Sequence, residues 1–336
     1  MKEKLNNQNA AISILKIFLT FVIIDNHFEI QSNNIFANTI DYFNSFAVCS
    51  FMFISFYLIN KLFYNPDISK YKERIKRLYI PVVIWEIITI LIYYIFKENY
   101  NISITKIILN LFFSHSINDT AHLWFLVSQV YIISLLFFLS LLFEDEKKKS
   151  YILIFIIIFS FILEYFNVNY YAFNTSISDI RYTLGRTIEC LPYACSALLY
   201  SKYLHSANIK RKVLWILCLF ILLFTSCKLN LKTSGFDCEG IINYFKSLII
   251  CLVFINIPNV ISSKLKCYIN YVSSCTMGIY CSHLLIGNVL LHTVYIKQFS
   301  GTILFNILIF VLGLVLTILI RFINKKIKWK WLEYSF

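Results

Sequence analysis

The sequence predicts an all-α polytopic membrane protein of about ten transmembrane helices, in one domain spanning 1–336, with both termini cytoplasmic. Three observations carry this. First, 59% of the 336 residues are hydrophobic and only 15% charged, against about 45–50% apolar and about 25% charged in soluble domains. One water-soluble core of this size cannot bury that excess. Second, the apolar residues come in runs near the roughly 20 residues that cross a bilayer. Third, the cations gather on alternate connections, as topology signals do.

Taken in order, the spans fall at roughly 10–28, 40–61, 78–97, 122–143, 150–167, 182–201, 212–228, 240–257, 271–294 and 301–321. The piece 102–113 is too short to cross and reads as interfacial or re-entrant. One side collects Lys2, Lys4, the runs 61–77, 147–149 and 202–212, then Lys264, Lys266 and 321–330. The other holds Lys97, Lys106, Arg181, Lys228, Lys232 and Lys297, thinly spread. This alternation explains the +13 net charge as topology and argues against a nucleic-acid surface. The first span reads as a retained helix, with no small-x-small cleavage site close behind it.

Composition excludes several chemistries. Seven glycines include no G-x-x-x-x-G-K-[ST] and no G-x-G-x-x-G, so no phosphate loop of the usual kind is present. Ten cysteines contain no C-x-x-C, which removes a zinc ribbon and a thioredoxin-like pair. Most lie in apolar runs and act as small hydrophobes; only Cys227 and Cys238 flank a polar loop.

Ionisable groups inside spans are expensive and mark function by default. Lys16 and His27 are eleven positions apart in the first span. At about 100° per residue they return to nearly one face, about 16 Å apart along the axis. Singly, Lys16 reads as a snorkelling cation and His27 as an interfacial cap; the shared face points to a joint role. Asp25, two residues before His27, points away along the helix. Arg74 and Arg77 share a face at the cytoplasmic mouth of the third span. They are either a positive-inside stop or a guanidinium pair suited to phosphate. His122 and Trp124 open the fourth span, where an aromatic belt would also place them. Tyr280 and His283 share a face in the ninth. Arg186 and Glu189 read as an ion pair at i, i+3. Glu86 and Glu164 are carboxylates in apolar context without an evident partner.

Together these landmarks resemble the acyltransferase 3 family of bacterial integral membrane O-acyltransferases. The Lys16-x10-His27 spacing is similar to the family's first-span Lys/Arg-x10-His, and Arg74-x-x-Arg77 to its Arg-x-x-Arg. The segment 45–58, His122-Leu123-Trp124-Phe125 and Gly278-Ile279-Tyr280-Cys281-Ser282-His283 look like three further landmarks in the family's order. The departures are Lys16 for the usual Arg, no glycine after it, and Phe56 where the second span usually has glycine.

The resemblance implies a multi-pass protein of the bacterial cell (inner or plasma) membrane. It would transfer an acyl group, usually acetyl, from cytoplasmic acyl-CoA (acetyl-CoA) to a hydroxyl of a cell-surface or lipid-linked carbohydrate. It implies His27 as general base and Lys16, Arg74 and Arg77 as ligands of the acyl-CoA phosphates. Trp124, His122, Tyr280 and His283 would position substrate, and no metal is called for. Its partners are then the lipid bilayer, acyl-CoA and the carbohydrate, with no nucleic acid. A transporter or flippase for a lipid-linked glycan is the alternative.

Overall fold

The computed structural model describes residues 9–31, 35–96, 103–113, 118–171, 178–232, 239–258 and 261–329. Lys2, Lys4, Lys97, Cys238 and Lys330, and the side chains of Glu164, Arg181, Cys227, Lys228 and Lys232, lie outside the described residues.

Among the described residues every regular element is helical. In chain order these are α1 (Ala10–His27), α2 (Ile35–Asn44), α3 (Ala47–Leu58), α4 (Asn60–Tyr64), α5 (Ile68–Phe96) and α6 (Ile104–Phe113). A 3-10 helix, Asn118–Leu123, leads into α7 (Trp124–Leu142). Then come α8 (Glu146–Tyr171), α9 (Ser178–Tyr203), α10 (Ile209–Lys232), α11 (Glu239–Asn256), α12 (Ser263–Ser274), α13 (Thr276–Leu291), α14 (Val294–Lys297) and α15 (Ile303–Ile327).

Local chemistry sets several starts. The Asn9 side chain accepts from the Ala11 N–H at 2.9 Å and caps α1. Ser262 and Thr302 cap α12 and α15 in the same way. Ahead of α5, the Asp67 carboxylate accepts from the Ser69 N–H at 2.9 Å and the Ser69 hydroxyl at 2.7 Å. These bonds, with Lys70 beside it, hold the Asp67 carboxyl well below the usual carboxylate range.

Three described helices are long and apolar enough to cross a membrane: Ala10–His27, Trp124–Leu142 and Ile303–Ile327. Two bent pairs bring the number to five if each is one span. The stretch 40–61, expected as a single span, is bent by 60° between Ala37–Asn44 and Ala47–Leu58. The stretch 271–294 is likewise broken, α12 meeting α13 at a 48° bend. The helix expected over 78–97 begins at Ile68, so its cationic run is helical rather than a loop before the helix. The short apolar piece forms the ten-residue α6. Along α15 the apolar side chains Leu304, Val311, Val315, Leu319 and Phe322 are exposed, which suits a face turned to lipid.

The chain divides into two compact units. One comprises Met1–Ala47, Lys76–Val127 and Pro258–Phe336; the other comprises Val48–Ile75 and Ser128–Ile257. In the first, α1 packs against α2, α12, α13 and α15, and α13 packs against α15 and the 3-10 helix. Ile24, Cys275, Ile279, Leu290, Phe305 and Ile309 form its apolar core. In the second, α8 lies on α9 and α10 on α11, with α9 also touching α4 and α11. Buried hydroxyl pairs pin that unit internally: Ser50 with Ser247 at 3.0 Å and Ser128 with Thr187 at 2.8 Å.

Candidate active site

His27 is the last residue of α1 and is exposed as a residue. The end of the helix is held in place by Asp25, whose carboxylate is buried. Asp25 accepts from the Asn306 side chain at 2.9 Å, the Asn44 side chain at 3.1 Å and the Ile30 N–H at 3.2 Å. That network ties α1 to α15, to α2 and to its own following turn. The next residue after His27, Phe28, points the tip of its ring at Gly287 of α13. A β-carbon on Gly287 would collide with the Phe28 ring, so glycine is what admits the ring there. Phe305 bounds the other side of Phe28, ring centroids 5.7 Å apart. Just beyond, the Gln31 N–H donates to the Gly301 carbonyl at 2.7 Å.

Two buried imidazoles stand behind His27. Its ring centroid is 5.2 Å from that of His283 and 6.4 Å from that of His122; the latter two are 4.7 Å apart. His122 lies in the last turn of the 3-10 helix, which Asn110 of α6 anchors by donating to the Thr120 hydroxyl at 2.8 Å. His122 Nε2 donates to the Cys281 carbonyl at 3.2 Å, and the Tyr280 hydroxyl donates to the His122 carbonyl. His283 Nδ1 donates to the Tyr280 carbonyl at 2.6 Å. Because a carbonyl only accepts, these bonds fix which ring nitrogen carries the proton in each buried histidine. Tyr280 lies 5.4 Å from His122 and 5.8 Å from His283, ring to ring. Phe125 packs on Tyr280, and Trp124 on Phe125.

The cationic candidates are placed separately. Lys16 donates from Nζ to the Ser273 carbonyl at 3.3 Å, where α12 stops. Arg321 of α15 reaches the same break, donating to the Ser274 carbonyl at 2.5 Å and the Ser274 hydroxyl at 2.7 Å. Arg74 is half-buried and Arg77 exposed. Both ride on α5, Arg74 in the second unit's share of the chain and Arg77 in the first's. Arg186 and Glu189 form their expected ion pair at 2.7 Å, with Tyr182 stacked below the guanidinium. Glu86 is buried beside Asn110.

Thus His27, His122, Tyr280 and His283, named from three separate segments, come together in one unit. Sequence reasoning missed Asn306 and Arg321. The available signal for Asn306 was a lone amide inside the apolar run of α15; for Arg321 there was none beyond a rim cation. Among the described residues no group of three His, Cys, Asp or Glu side chains is arranged to hold a metal ion. The two buried histidines turn one nitrogen each to a carbonyl.

Among the described residues the regular elements are all helical, several are long and apolar enough to cross a membrane, and three imidazoles gather at one helix end. The chain belongs to the acyltransferase 3 family: that family's model, an acyltransferase domain, matches residues 9–323. The protein is accordingly an acyltransferase, and the match does not favour a transporter or flippase. Neither the curated proteins nor the solved structures yielded a match.

Proposed function

We propose that the protein is a polytopic O-acyltransferase of the bacterial cell membrane, one membrane-embedded domain with ten spans and cytoplasmic termini. It moves an acyl group, acetyl foremost, from cytoplasmic acyl-CoA to a hydroxyl of a cell-surface or lipid-linked carbohydrate. The observation that carries this reading is the exposed residue His27 backed by two buried imidazoles, in a chain of acyltransferase family.

In the reaction His27 takes the proton of the sugar hydroxyl. An imidazole with an ordinary pKa of about 6.5 can do so near neutral pH. The oxygen attacks the thioester carbonyl, a C–O bond forms and the C–S bond breaks. The imidazolium then returns the proton to the departing thiolate, leaving CoA with a free thiol. Arg74 and Arg77 hold the donor's phosphates as guanidinium forks do, and Lys16 adds a cation farther along α1. Trp124 and Tyr280 position the acceptor, with His122 supporting them.

His27→Ala is expected to abolish transfer of label from acetyl-CoA to glycan in reconstituted membranes, while the protein inserts and purifies as before. Wild-type transfer by this variant would refute the base assignment.

A further inference from the structure

His283 is fully buried and its hydrogen bonding is half complete. Its Nδ1–H is engaged by the Tyr280 carbonyl at 2.6 Å, so Nε2 bears the lone pair. Nε2 is itself buried and has no hydrogen-bond partner among the described residues. A buried acceptor left open in this way needs a donor in the working state. His122 cannot supply one, because its ring proton already goes to the Cys281 carbonyl. The remaining ring beside it is His27, at 5.2 Å between centroids and tilted by 44°. His27 ends its helix and is exposed, so its ring has room to turn.

We infer that His283 is the positioning residue of His27: its Nε2 accepts the inward N–H of His27 and leaves the outward nitrogen of His27 as the base. The inference rests on the reading of His27 as general base. When His27 takes the hydroxyl proton, both its nitrogens carry hydrogen, and His283 keeps hold of the inward one throughout. His283 gains and loses no proton. It does for His27 what a buried carboxylate does for the histidine of a serine hydrolase, but as a neutral group. Inside a bilayer that substitution avoids a second charge at the site.

The test uses the full-length protein in lipid nanodiscs. In 15N-histidine spectra of the wild type, His27, assigned by its loss in His27→Gln, should show a single tautomer. His283→Leu should give a mixture of tautomers at His27 and lower kcat about 100-fold, the lower part of the range for proton-transfer groups, with KM values unchanged. His283→Gln, whose amide oxygen can accept, should keep the single tautomer and recover at least about tenfold of that loss. A wild-type His27 already mixed in tautomer overturns the inference. So does wild-type kcat in His283→Leu, or a His283→Gln as impaired as the leucine variant. If His283→Leu fails to fold, the wild-type and His283→Gln spectra decide alone. Activity surviving in His27→Ala would instead refute the underlying base assignment, a separate outcome.

Discussion

Three N–H groups converge on the Asp25 carboxylate, and none belongs to a cation. A buried carboxylate satisfied by amides alone is a positional device, since each donor comes from a different segment. Removing it leaves the buried Asn306 amide without its acceptor, a loss of about 1–3 kcal/mol. Asp25→Ala should therefore lower the thermal midpoint in detergent, and the double variant with Asn306→Leu should cost less than the two single losses summed. Additive losses would separate the two residues. The sequence showed Asp25 as a carboxylate out of place, yet its principal partner lies 281 positions away. Helical periodicity reports faces, not tertiary partners. For the same reason the pairing of Tyr280 with His283, three residues apart, was readable, whereas the meeting of either with His27 was not.

The junction of α12 and α13 shows how an element can end inside a membrane protein without proline or glycine. The run Ser273-Ser274-Cys275-Thr276 consists of small side chains, two of which bond back to carbonyls three residues earlier. The Ser274 hydroxyl donates to the Tyr271 carbonyl at 2.6 Å and the Thr276 hydroxyl to the Ser273 carbonyl at 2.8 Å. Such bonding competes with the helical ladder and bends it. The carbonyl end of α12 then attracts Lys16 and Arg321, as the negative end of a helix dipole does. The sequence predicts 271–294 as a single span, and nothing in helical periodicity places a bend within it. Lys16→Met is expected to lower stability by about 1.5–3 kcal/mol, the scale of hydrogen bonds to charged groups, and also to raise KM for acyl-CoA. Thermal unfolding and steady-state kinetics separate the two effects. Lost stability with unchanged KM would leave Lys16 only its role at the break.

At the scale of the molecule, the helical class and the apolar helices were legible because bilayer length and composition leave little choice. Where each helix bends was not, because that depends on side-chain bonds to the backbone. The alternation of cations supports cytoplasmic termini, and it makes a plain forecast: reporters fused to either end should be shielded from a protease added outside intact cells, and a tag in the loop 98–121 should be cut. Cleavage at either terminus would overturn the arrangement. The assembly also binds distant parts of the gene to one another. The Phe28 ring fills the space that a β-carbon at 287 would need, with Phe305 at its back. In mutational drift, then, positions 28 and 287 form a single unit of change. A larger residue enters at 287 only if the Phe28 ring moves aside or gives way to something smaller.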